Sequence, residues 1–196
     1  MKILYALFSY LLGSIPIGYI LLFISERKDI RNYGSGATGA TNVLRVKGWK
    51  YALPVSVLDI LKGFVPVFFA LKIFENILFA VICAFLSVAG HCFPIYLKFK
   101  GGKGVATAAG VFSILAFKPF VLGLVVFILV VVFTRYASLA SILAASSFPF
   151  FIYLFKGKVE IIGLSLAIFL LIVLRHWGNI KRLIKGTERK IGEKIK

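Results

Sequence analysis

Three short stretches concentrate the side chains that could hold an anion. The first is Gly34-Ser35-Gly36-Ala37-Thr38-Gly39-Ala40-Thr41-Asn42-Val43-Leu44-Arg45, where three glycines and four hydroxyl or amide side chains lead to an arginine. Glycine lets the backbone turn tightly and aim successive N–H groups at one spot, which makes an anion nest. Hydroxyls add donors, and a guanidinium forks onto phosphate oxygens. The second runs from Gly90-His91-Cys92-Phe93-Pro94 through Phe99-Lys100-Gly101-Gly102-Lys103-Gly104-Val105-Ala106-Thr107. It sets an ammonium among glycines just before a helix begins, another place for an anion. The third is Arg175-His176-Trp177-Gly178-Asn179-Ile180-Lys181-Arg182, followed by Gly186-Thr187-Glu188. If helical, Arg175, Asn179 and Arg182 share one face by their i, i+4, i+7 spacing.

Several familiar chemistries are excluded by what stands at particular positions. Gly34-x-Gly36-x-x-Gly39 has the spacing of a dinucleotide fingerprint, but it follows an apolar run and a charged loop rather than a strand. Gly104 occupies the place where a Walker A loop needs Ser or Thr for magnesium. His91 can orient a substrate hydroxyl or take its proton, whereas neighbouring Cys92 points elsewhere on a helix and is a poor nucleophile candidate. The acyltransferase pattern of His with Asp five residues on fails at both histidines, with Tyr96 and Lys181 in those places. No metal-ligand spacing is present, so neither a metal nor a cofactor is expected. Catalysis must then come mainly from placed donors and positive charge.

The elements that carry these stretches are apolar. The chain is 60% hydrophobic, yet Lys+Arg number 24 against 7 Asp+Glu, a net charge of +17. Such a balance could suit a nucleic-acid binder, but here basic clusters alternate with runs of bilayer length. Those runs are Ile3–Ile24, Tyr51–Lys72, Ile77–Leu97, Ala137–Phe155 and Ile161–Leu174, with Val105–Thr134 broken near Lys118-Pro119. The first is too long for a signal-peptide core and reads as a retained span. Counting Val105–Thr134 as two spans puts 18 of the 24 basic residues on one side and 5 on the other. The positive-inside rule then makes the basic side cytoplasmic. The expected fold is all-α: one domain over 1–196, a polytopic transmembrane helix bundle of about seven spans, N-terminus outside and C-terminus cytoplasmic. Asp59 and Lys62, i and i+3 within a span, are expected to pair. Cys83 and Cys92, about 13 Å apart along a helix, are expected to be free. The tail Lys181–Lys196 reads as an interfacial helix or a frayed end.

Taken together the stretches resemble the bacterial membrane glycerol-3-phosphate acyltransferases that use acyl phosphate as donor, the PlsY family. The resemblance is carried by Leu12-Gly13-Ser14-Ile15-Pro16, Arg31 through Arg45, Leu58-Asp59 with Lys62-Gly63, Gly90 through Thr107, Tyr136 through Ile142, and Arg175 through Glu188. It departs at Ala37, where the family usually has Asn, and at Gly178, where it often has Glu. It implies acyl transfer from acyl phosphate to the sn-1 hydroxyl of glycerol 3-phosphate in a bacterial inner membrane, at its cytoplasmic face. The product is lysophosphatidic acid, in the first acylation of phospholipid synthesis. Acyl phosphate, glycerol 3-phosphate and membrane lipid are then the expected partners, and nucleic acid is not. Ser35, Arg45, Lys103, His176 and Asn179 are the expected catalytic residues. Gly34, Ser35, Gly36, Thr38, Gly39, Thr41 and Asn42 would hold acyl phosphate. Arg45, Lys103, Thr107, His176 and Asn179 would hold glycerol 3-phosphate, supported by His91, Gly101, Gly102, Arg175, Arg182 and Glu188. An anion transporter is the rival reading, but such sites lie near the midplane between paired repeats, and no repeat is visible. A non-catalytic lipid-binding scaffold is a third, which the conjunction of three donor-rich loops disfavours.

Overall fold

The computed structural model describes residues 1–193, which form ten α-helices and no strand. The first apolar run is two helices, α1 (Lys2–Ser14) and α2 (Ile17–Glu26), bent by 43° where Pro16 removes a backbone donor. After a short loop come α3 (Ala40–Lys47) and the long α4 (Trp49–Phe74). Next are α5 (Ile77–Cys92), α6 (Val105–Leu115) and α7 (Phe117–Thr134). The chain ends on α8 (Ala137–Leu154), α9 (Val159–Arg175) and α10 (Trp177–Ile184).

By length and apolarity alone, three segments can cross a bilayer: Ile77–Leu97, Phe117–Thr134 and Ala137–Leu154. Five can if each bent pair, α1–α2 and α9–α10, is one crossing. The seven expected from charge require α4 and α6 as well. At 11 residues α6 is about 16 Å long, well short of a ~30 Å hydrocarbon core.

Two expectations are corrected and a third is narrowed. The break in Val105–Thr134 falls at Ala116, not at Lys118-Pro119; Pro119 lies in the first turn of α7, where its missing N–H has no helical partner to lose. Arg175 does not share a face with Asn179 and Arg182, because a 62° bend at His176 separates α9 from α10. The tail is helical only to Ile184, and residues 194–196 of the expected interfacial segment lie outside the described residues.

Small residues let the helices approach closely, as in membrane bundles generally. A Cβ on Gly13 of α1 would lie 2.2 Å from the Ser87 carbonyl oxygen of α5. On Gly63 it would lie 2.1 Å from the Thr107 oxygen, and on Gly110 2.0 Å from the Ile60 oxygen, so α4 and α6 touch backbone to backbone. α7 packs on α8 and α8 on α9, which closes the other wall. Large apolar side chains cover the outside; Val132 and Phe133 of α7 are 65% and 82% exposed. Cys83 and Cys92 are free and buried.

Candidate active site

The first loop is built around Asn42. Its Oδ1 accepts the Ser35 N–H at 2.8 Å, and its Nδ2 donates to the carbonyls of Ile30, Tyr33 and Ala37. With both ends of the amide engaged and the residue 1% exposed, Asn42 shapes the loop and has no donor left for a ligand. That corrects its expected place among the anion donors. Gly34 and Gly36 turn the chain at φ 62° and 73°. Asp29 grips Arg31 through paired bonds, and Arg31 Nη1 reaches the Leu97 carbonyl, joining this loop to the next.

The second loop is held by α5 and α9. The Gly102 N–H donates to the His91 carbonyl at 3.0 Å, and Arg175 spans the Gly101 and Gly102 carbonyls at 3.0 Å each. Neither glycine tolerates a side chain: a Cβ on Gly101 would sit 2.3 Å from the His91 oxygen, and one on Gly102 2.0 Å from His91 Nε2. His91 Nδ1 in turn faces Asp59 at 3.5 Å, and Asp59 pairs with Lys62 at 2.8 Å as expected. Lys62 also donates to the carbonyl of Ile15, at the bend between α1 and α2.

These supports present Lys103 to the third stretch. Its Nζ donates to Asn179 Oδ1 at 2.6 Å, and Asn179 Nδ2 donates to Glu188 Oε1 at 2.6 Å. Ser138 Oγ donates to the same oxygen at 2.9 Å, while Arg182 Nε donates to Oε2 at 2.8 Å. Glu188 thus ties α8 and α10 together. Burial would raise its pKa, but the bonds from Asn179, Arg182 and Ser138 outweigh that and hold it below the ordinary value. Burial pushes Lys103 down to about 8, helped by repulsion from Arg45, Arg182 and Arg175 and opposed by Glu188. Arg45 bonds the Arg189 carbonyl through Nη2, while its buried Nε has no partner among the described residues. His176 Nδ1 lies 2.8 Å from the Ile172 carbonyl. A carbonyl only accepts, so Nδ1 carries the hydrogen and neutral His176 has its lone pair on Nε2.

One cavity of about 340 Å³ collects these groups. Ser35, Gly39, Thr41, Asn42, Arg45, His91, Lys103, His176 and Asn179 line its polar end. The rest is largely apolar, with Phe112, Phe148 and Ile168 among the walls. Gly34, Gly36 and Thr38 are not on it and instead shape the loop. Gly101, Gly102, Arg175, Arg182 and Glu188 stand behind it. Thr107 is a correction: it is fully buried against Gly63 at the α4–α6 contact, off the cavity and with Oγ1 unpartnered. Asp59, Ser56 and Ser138 line the cavity although the motifs did not single them out as ligands. The intramembrane charge of Asp59 was the available signal.

The chain matches the family model described as "Glycerol-3-phosphate acyltransferase" over residues 3–186. It is 47% identical to a glycerol-3-phosphate acyltransferase of Endomicrobium trichonymphae, covering 97% of this chain and 96% of that one. It is 44% identical to glycerol-3-phosphate acyltransferase 2 of Bacillus anthracis, covering 97% and 100%. It belongs to the glycerol-3-phosphate acyltransferase (PlsY) family. Among solved structures, the integral membrane PlsY (YgiH) in its glycerol 3-phosphate form superposes with TM-score 0.93 at 39% identity, covering 97% and 96%. The lysophosphatidic acid form of PlsY does so with TM-score 0.89 at 38% identity, covering 97% and 95%. The chain is accordingly an integral membrane acyltransferase of phospholipid synthesis, as the resemblance implied.

Proposed function

We propose that the cavity transfers an acyl group from acyl phosphate to the sn-1 hydroxyl of glycerol 3-phosphate, releasing lysophosphatidic acid and phosphate. The reading rests on one observation above all: Arg45, Lys103, His176 and Asn179 gather at the polar end of a cavity whose remaining wall is largely apolar. Two phosphates brought together need several cations and donors, and a fatty chain needs the apolar remainder. Ser35 Oγ, Thr41 and the α3 N-terminus at Gly39–Ala40 form the acyl-phosphate side, with Gly34, Gly36, Thr38 and Asn42 shaping it. Arg45, Lys103, His176 and Asn179 form the glycerol 3-phosphate side. Thr107, off the cavity, has no part in binding.

Phosphate is a good leaving group, so orientation and charge stabilisation carry most of the rate. The hydroxyl hydrogen-bonds to His176 Nε2 and attacks the acyl carbonyl. The bond from carbonyl carbon to phosphate oxygen breaks, and the hydroxyl proton leaves on the phosphate product. Lys103 and Arg45 hold the charge that builds on the phosphates. The relatives bearing glycerol 3-phosphate and lysophosphatidic acid support the acceptor and the product. The excess of basic residues in the loops supports a site at the cytoplasmic face of a bacterial inner membrane, in a seven-crossing arrangement that includes α4 and α6.

The deciding assay is purified protein in detergent with labelled glycerol 3-phosphate and equal amounts of palmitoyl phosphate or palmitoyl-CoA. Lysophosphatidic acid from palmitoyl phosphate alone, with no sealed vesicle needed, is expected. Product from the thioester at a comparable rate contradicts the donor assignment.

A further inference from the structure

The cavity has a far end as well as a mouth. Along α9 its lining runs from His176 to Ser165, eleven positions and so about 16 Å deep at the helical rise. The α8 wall of this shaft is small, with Ser141, Ala144 and Ala145 in succession. One turn deeper the character changes. Phe112 of α6, Phe120 of α7 and Phe148 of α8 all line the deep end. The Phe112 and Phe148 rings lie 4.7 Å apart, tilted by 38°.

Phe148 keeps its place because α7 has a glycine beneath it. A Cβ on Gly123 would come within 2.3 Å of Phe148 Cε2 and 2.9 Å of Cζ. The ring edge therefore rests on bare backbone, and any side chain at Gly123 must displace it from α7. A wall of small residues ending in a ring seated on a glycine is an arrangement that measures the length of whatever apolar chain fills it.

We propose that Phe148, seated on Gly123 and backed by Phe112, is the stop that fixes the longest acyl chain this enzyme accepts. The proposal rests on the reading of the cavity as an acyl-phosphate site. A chain too short leaves apolar wall uncovered, and one too long must unseat a packed ring. Each misfit methylene changes transfer by up to about fourfold. Removing the ring lengthens the shaft, whereas a methyl group under it shortens the shaft. The two changes act on neighbouring helices, α8 and α7, and must move the preference in opposite directions, which a general loss of packing cannot do.

The test is the ratio of kcat/KM for lauroyl, myristoyl, palmitoyl and stearoyl phosphates, with labelled glycerol 3-phosphate, in the wild type, Phe148→Ala, Phe148→Leu and Gly123→Ala. Phe148→Ala should raise the stearoyl-to-myristoyl ratio by about tenfold, Phe148→Leu by less, and Gly123→Ala should lower it by a similar factor. Should Phe148→Ala elute as aggregate in detergent, Phe148→Leu and Gly123→Ala carry the same opposed expectation. Chain-length profiles that superimpose on the wild type, whatever the overall rate, overturn the stop and leave the donor assignment standing. A wild type that makes no product from any acyl phosphate overturns the donor assignment and the stop with it.

Discussion

Lys103 sits where one ammonium serves two purposes, bonding Asn179 and contributing charge to the cavity mouth. With its pKa lowered to about 8 by burial, it is charged below that pH and loses its proton above it. If the charge is required by the free enzyme, kcat/KM falls as pH rises through about 8. Lys103→Arg should carry that limb to higher pH, since a guanidinium stays protonated. Glu188 opposes the depression of Lys103, so Glu188→Gln should move the limb to lower pH; a pH–rate profile of each variant reads both shifts. Glu188→Ala should cost about 10- to 100-fold in kcat/KM, because Asn179, Ser138 and Arg182 lose their common acceptor. The sequence exposed the donor types well, since Gly, Ser, Asn, Arg and Lys in dense runs have few other uses beside a membrane. It could not say which donors were already spent. Asn42 and Ser35 belong to one motif and both line the cavity, yet the Asn42 amide is fully bonded within its own loop.

The helices fix the distance between the loops, and the α4–α6 pair matters most because α6 begins directly after Lys103-Gly104 and α4 carries Asp59. Gly63 and Gly110 let the two backbones touch. Gly110→Ala must push Ile60 and Phe64 aside at a cost of about 1–3 kcal/mol. That is roughly 2–10 °C off the unfolding midpoint in detergent for a chain of this size, measurable by thermal scan. A midpoint unchanged in Gly110→Ala would contradict the close packing of α4 on α6. The helices themselves were legible from apolar runs, and the pairing of Asp59 with Lys62 from the cost of a lone charge. The bend at His176 was not. Arg175-His176-Trp177 holds no proline or glycine, and the turn is held by a contact distant in sequence, Arg175 onto the Gly101 and Gly102 carbonyls, together with a local one, His176 Nδ1 folded back on Ile172.

Across the whole molecule, charge is divided so that the three donor-rich stretches share one face. Single cysteines at Ser35, Lys100 and Lys185, with Cys83 and Cys92 replaced by Ala, should all react with an impermeant maleimide from the same side of oriented vesicles. The bundle adds a largely apolar shaft behind that face, which no single stretch of sequence reveals because α4, α6, α7, α8 and α9 each supply only part of its wall. Far from the loops, that wall carries the proposed stop at Phe148.

The most direct check on a shared cationic site is lysophosphatidic acid formation from palmitoyl phosphate by Arg45→Ala and Lys103→Ala, each verified as monodisperse in detergent. Both should lose about 10²-fold or more in kcat/KM, as removal of a charge-stabilising donor does elsewhere. Near-wild-type turnover in both would mean that the phosphates are held somewhere other than the cavity mouth.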